Sequence, residues 1–130
     1  MSKQFTLGKN ERLKSRKLIE QLFSEGNKFV TGPFRTFYKA DKEKKFSLQF
    51  GVGVSSRNFK KAVDRNRIKM MIKEAYRLQK NNLKENSKEQ NMQLNVFVIY
   101  TGKEIPVYQD VSLQIEKVLN KLNLLISEKK

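Results

Sequence analysis

The chain has 130 residues, with 28 Lys or Arg against 13 Asp or Glu, a formal net charge of +15, and no cysteine, histidine or tryptophan. That length supports one domain with a real core and is short for two. The missing Cys and His exclude disulfides, the usual zinc ligand sets, cysteine nucleophiles and any Ser–His–Asp triad, while the charge points to a polyanion, either nucleic acid or an acidic membrane surface.

Residues 1–11 are polar and read as a basic arm, residues 12–127 as a single α+β domain, and residues 128–130 as a short tail. Ser15 caps an expected helix that runs to Glu25 and stops at Gly26. Within it Leu18, Ile19, Leu22 and Phe23 form one apolar stripe whose ordinary role is core. From Phe29 to Ala40 the chain is rich in aromatic and β-branched residues, interrupted by Gly32-Pro33. This predicts one strand with a bulge, because Pro33 cannot donate within a central ladder. A charged turn over residues 41–45 follows. Next comes a strict alternation in which Phe46, Leu48, Phe50, Val52 and Val54 share one side of a half-buried strand. The two strands are expected to pair as an antiparallel hairpin. Gly51 and Gly53, on the opposite side, leave space for something to approach; they are no nucleotide loop, since Ser56 stands where a third glycine belongs.

Residues 58–83 read as one long helix with Asn58 as its cap. Its buried side carries Ile68, Met71, Ile72, Ala75 and Leu78. Arg65, Lys69, Lys73 and Arg77 form a separate basic stripe with Asn66 and Lys80 nearby, while Arg67 projects to a different side. An Asn- and Lys-rich loop over residues 81–91 leads to a nearly continuous apolar run, Leu94 to Tyr100, typical of a central strand. After a loop at Gly102–Pro106, residues Val111, Ile115, Val118, Leu119, Leu122, Leu125 and Ile126 define an amphipathic C-terminal helix. The fold class is therefore α+β, a small mixed sheet packed with helices in the order α-β-β-α-β-α.

The charge is unevenly placed. Residues 55–84 hold ten basic and two acidic side chains, whereas residues 85–130 hold six of each. Within the long helix only Asp64 and Glu74 oppose the basic stripe, so its self-repulsion is largely unrelieved within the helix, which favours a polyanion partner. The aromatics Phe23, Phe29, Phe34, Phe37 and Tyr38 exceed what one side of a small sheet needs, which makes some of them candidates to stack on unpaired bases. Carboxylates are scattered, which argues against a protein-held catalytic metal. No apolar run at the N-terminus has signal-peptide length. The apolar stretch near the C-terminus is broken by Asn120, Lys121 and Asn123, so no membrane span or membrane partner is expected and the cytoplasm is the default location.

The stretch Lys61-Ala62-Val63-Asp64-Arg65-Asn66-Arg67-Ile68-Lys69 resembles the signature of the bacterial ribonuclease P protein subunit. The likeness extends through Arg12-Leu13-Lys14 to Phe23 and Gly26, through Gly51-Val52-Gly53-Val54-Ser55-Ser56-Arg57, and to the pattern around Tyr108, covering about residues 9–127. It implies a left-handed crossover between parallel strands. It also implies a noncatalytic role beside an RNA subunit that performs magnesium-dependent removal of the 5′ leader from precursor tRNA. Mg2+ would be bound mainly by that RNA, and the protein would be a monomer without it. Carried over, Arg12, Lys14, Arg57, Arg65, Asn66, Arg67, Lys69 and Lys73 contact RNA, and Ile19, Phe23, Phe37, Tyr38, Ser55 and Ser56 line the leader cleft. Ile19 stands where the family often has an aromatic. Met70 and Lys73 stand where arginines are usual, Ser56 replaces a lysine, and Thr101-Gly102 replaces an arginine-containing segment. Two alternatives remain at this point: a ribosomal or ribosome-assembly RNA-binding protein, and a self-sufficient metal-dependent nuclease.

Overall fold

The computed structural model describes residues 11–42 and 45–128, so most of the basic arm, part of the charged turn and the end of the tail lie outside the described residues. Eight elements follow one another: α1 (Arg16–Glu25), β1 (Asn27–Thr31), β2 (Phe34–Asp41), β3 (Ser47–Val54), α2 (Ala62–Gln79), α3 (Asn81–Glu89), β4 (Gln93–Tyr100) and α4 (Tyr108–Glu128). The α+β class holds, with one more strand and one more helix than the sequence suggests.

Helix α1 forms as expected. The Ser15 side chain accepts the Leu18 amide at 3.3 Å, satisfying a free N–H of the first turn. At the other end the Gly26 amide still donates to Leu22 O, but a Cβ at Gly26 would stand 2.6 Å from that same carbonyl oxygen. Next, the segment read as one interrupted strand is two strands. Gly32 sits at φ 55° and, with Pro33, makes the two-residue turn of a β1–β2 hairpin in which Thr31 faces Phe34. Such turns require positive φ at a central residue, which glycine adopts without strain.

The sheet order is β1-β2-β4-β3, with β4 antiparallel to β2 and parallel to β3. The expected direct hairpin between the aromatic strand and the alternating strand is thus corrected: β4 separates them. The reason is burial. The run from Leu94 to Tyr100 is apolar on both faces and takes the central position, leaving β3, with its glycines, at the edge. The helices α2 and α3 form the crossover between the parallel pair β3 and β4.

One face of the sheet carries Phe34, Tyr38, Leu48, Phe50, Leu94, Val96, Val98 and Tyr100, all buried beneath α2 and α4. The Phe50 ring stacks on Tyr76 of α2 with centroids 3.8 Å apart and an interplanar angle of 2°. From α4, Val111, Ile115, Val118, Leu119, Leu122 and Ile126 enter the same core, as their spacing predicts. On α2 the pattern is corrected at one position. Leu78 is 49% exposed, and Tyr76 occupies the core beside Ile68, Ile72 and Ala75.

The long helix is also shorter than expected at both ends. Asn58 is not its cap; its amide donates to the carbonyls of Thr101 and Gly102 at 3.1 and 3.2 Å, tying the β3–α2 turn to the strand end of β4. The supposed loop over residues 81–91 is mostly α3. Its composition looks like a loop, yet Leu83 is fully buried, the Ser87 hydroxyl donates to Leu83 O at 2.8 Å, and Met92 anchors the exit. These anchors dock an otherwise polar helix, and the Asn86 side-chain amide adds hydrogen bonds to Asn123 Oδ1 and Ser127 Oγ of α4, both at 3.2 Å.

Candidate nucleic-acid interface

The second face of the sheet is built differently. Residues level with one another across β2, β4 and β3 are Phe37, Phe97 and Gly51, with Ile99 and Gly53 one step further along. A Cβ on Gly51 would stand 2.7 Å from the Phe97 ring, and one on Gly53 would stand 3.0 Å from it. The space the glycines leave is therefore filled by Phe97, which lies flat across the edge strand. Helix α1 lies over this face and places Phe23 4.8 Å from Phe37 and 5.4 Å from Phe97, ring centroid to ring centroid. Phe23 nonetheless remains 46% exposed. A large aromatic left half-uncovered, with its neighbours already in edge and tilted contact, is a platform open to a further flat group.

Beside this platform runs a groove of 370 Å³ lined by Arg12, Leu13, Lys14, Ile19, Phe50, Gly51, Val52, Lys69, Lys73 and Phe97. Four cations from two separate segments share it. Burial first, then the neighbouring Arg12, Lys69 and Lys14, hold the Lys73 ammonium below the ordinary lysine range. The four cations thus repel one another in the free protein, and an anion in the groove relieves that repulsion.

The candidate residues separate into groups. Arg12, Lys14, Ile19, Lys69 and Lys73 line the groove, and Phe23 and Phe37 form the platform above it. Tyr38 is corrected: adjacent to Phe37 on β2, it points to the opposite face and is 5% exposed in the core, as strand alternation demands. Ser55, Ser56 and Arg57 lie beyond the end of β3, outside the groove lining; Ser56 and Arg57 are exposed. Asn66 and Arg67 are exposed on α2. Arg67, two positions from Lys69, faces roughly the opposite side of the helix. Arg65 is half-buried, and its Nη1 donates to the carbonyls of Phe59 and Lys60, both at 2.8 Å. At least part of its guanidinium therefore serves the turn before α2. Arg77 ends the stripe in a bidentate pair with Glu74, Nε to Oε1 at 2.8 Å and Nη2 to Oε2 at 2.6 Å.

One participant escapes the sequence reading and another is misplaced by it. Phe97 hides in an apolar run that only the register divides into two faces. Lys80, placed beside the basic stripe by its spacing, is buried and paired with Glu11. Among the described residues no group of three His, Cys, Asp or Glu side chains comes together to hold a metal ion. The walls of the groove are cationic, so its own residues do not fit a divalent-cation site. Among the described residues no helix is long and apolar enough to cross a membrane.

An aromatic platform flanked by cations, on one face of a small mixed sheet, combines the two features that RNA-binding proteins use, stacking surface and positive charge. The family model described as Ribonuclease P matches residues 7–123, and the chain belongs to this family. Among its relatives is the "Ribonuclease P protein component" of Porphyromonas gingivalis strain W83, 34% identical over 116 residues, 88% of this chain and 85% of that one. The protein of the same name from Chlorobium phaeobacteroides is 29% identical over 130 residues, covering 92% and 89%. The fold is shared with the RNase P protein of Staphylococcus aureus, at a TM-score of 0.67 and 22% identity over 86% of this chain and 94% of that one. It is shared equally with that of Thermotoga maritima, at 0.67 and 21% identity over 85% and 96%.

Proposed function

We propose that this protein is the noncatalytic, RNA-binding subunit of ribonuclease P, and that it holds the 5′ leader of precursor tRNA while docked on the catalytic RNA. The single observation that carries this reading is the junction of the Phe23–Phe37–Phe97 platform with the four-cation groove. Stacking grips a base without demanding a particular sequence, and the cations follow the phosphates. A variable leader requires that combination. The exposed Asn66 and Arg67, on another side of α2, would face a second RNA surface, which fits a protein placed between substrate and ribozyme.

Hydrolysis is assigned to the RNA subunit, which would also carry the magnesium the reaction needs. The protein's residues bind and orient. Lys69, Lys73, Arg12 and Lys14 neutralise phosphates that would otherwise repel one another, releasing condensed counterions. Phe23 fixes the leader on the platform, and the lowered proton affinity of Lys73 returns towards normal once an anion lies beside it.

The test compares precursor tRNA with mature tRNA. With the catalytic RNA present, the protein should tighten binding of the leader-bearing precursor and leave mature tRNA nearly unchanged. Equal tightening of both would refute leader binding.

A further inference from the structure

We infer that the Glu11–Lys80 ion pair is a clasp that holds residues 11–14 across the open edge of β3 and so presents Arg12 and Lys14 to bound RNA opposite Lys69 and Lys73. The inference deepens the RNA-binding reading above and rests on it.

Lys80 lies at the junction of α2 and α3, its side chain 1% exposed, and its Nζ pairs with a Glu11 carboxylate that is 25% exposed. Lysine is among the residues least often fully buried, and desolvating an ion pair costs about as much as the pair returns. Stability alone therefore gives little reason for this lysine. Position gives one. Immediately after Glu11 the chain runs parallel to the edge of β3: Arg12 bridges to Phe50, and the Leu13 amide donates to Phe50 O at 3.1 Å. Leu13 is buried, and the Phe50 ring beneath is stacked on Tyr76, which precedes Lys80 by one turn of α2. The ion pair, the strand bridge and the buried leucine fix one short segment at successive residues.

The segment needs fixing because its cations are placed against others. Arg12 and Lys14 share the groove with Lys69 and Lys73, and both contribute to the lowered proton affinity of Lys73. Without an anchor, repulsion favours swinging the segment away, and RNA would have to bring it back at an entropic cost. With the anchor, both walls of the groove are in place before RNA arrives.

The test uses Glu11→Gln in the full chain, with a short single-stranded oligoribonucleotide as probe. Each phosphate contact on a single strand contributes about 0.7 to the slope of log affinity against log salt, so losing two contacts lowers it by about 1.4. The variant should keep its far-UV circular dichroism, exchange the Leu13 amide hydrogen at least about tenfold faster, and bind with the shallower slope. Adding Arg12→Ala and Lys14→Ala should flatten the slope of the parent protein by about 1.4 and change the Glu11→Gln variant little. Parental Leu13 protection and slope in Glu11→Gln, or equal losses in both backgrounds, would overturn the clasp; should Glu11→Gln unfold because Lys80 is left buried without its carboxylate, Glu11→Gln combined with Lys80→Met is read by the same two measurements and decides. If the parent protein itself fails to bind the oligonucleotide, the RNA-binding reading falls, while Leu13 protection still decides whether the pair holds the segment.

Discussion

Replacing Phe23 with leucine separates stacking from every other contribution. The residue packs against Phe37 and Phe97 and leaves 46% of its surface to solvent. Leucine preserves apolar cover over those two rings, so the stability loss should stay below about 1.5 kcal/mol. What disappears is the flat outer surface. Stacking one base on an aromatic side chain contributes about 1–3 kcal/mol, which corresponds to about 5- to 150-fold in affinity. No cation is removed, so the salt dependence of binding should not change. The assay is fluorescence anisotropy with a labelled leader oligoribonucleotide over a range of salt, repeated with an abasic oligomer of the same length. Phe23→Leu should weaken binding of the normal oligomer at every salt concentration by the same factor and leave the abasic one unaffected. An equal loss on the abasic oligomer would refute base stacking at Phe23 and return the residue to a packing role.

Arg65 and Arg67 should behave differently despite sharing one motif. Arg65→Ala deletes two hydrogen bonds to the carbonyls of Phe59 and Lys60 and should lower stability by about 1–3 kcal/mol in urea denaturation. Arg67→Ala should leave the denaturation curve in place and weaken binding to the catalytic RNA; matching stability losses would contradict this division. Gly51→Val forces the Phe97 ring to move, since even a Cβ would stand 2.7 Å from it, and should cost about 1–3 kcal/mol of stability together with leader affinity. Unchanged melting and binding would show that the ring yields freely. For Lys73 the folded-state pKa is depressed below its ordinary 10.5, so its charged form opposes folding at neutral pH, and this penalty fades as pH rises through the folded pKa towards 10.5. Without RNA, Lys73→Met should melt at or above the parent at neutral pH, with the gap closing as the solution is made alkaline. A gap that widens would reverse the assigned sign.

Much of this architecture is legible in the sequence wherever one residue pattern has one physical solution. The Ser15 cap, the Gly26 stop and the apolar face of α4 are local or strictly periodic, and the structure follows them. Pairing between strands is not local. The run from Leu94 to Tyr100 announces a central strand, but only the folded register shows that it separates β2 from β3 and turns Phe97 towards the glycines. The same limitation hides the difference between Phe37 and Tyr38: alternation says they part, and only the neighbouring helices decide which one joins the core. Helix α3 is missed because two buried anchors, Leu83 and Met92, are outnumbered by Asn, Lys and Glu. Along the basic stripe, spacing places Arg65, Lys69, Lys73 and Arg77 together, but their separate partners become visible only when the turn before α2 and the acid at Glu74 are in place.

That the protein assists an RNA catalyst and does not cleave RNA itself is our proposal. It is tested most directly by following cleavage of precursor tRNA at low magnesium with protein alone, catalytic RNA alone, and both together. The expected result is no cleavage by the protein, slow cleavage by the RNA, and strong stimulation when they are combined, lost progressively as salt is raised. Cleavage by the protein alone, or an RNA rate that the protein leaves unchanged, would contradict it.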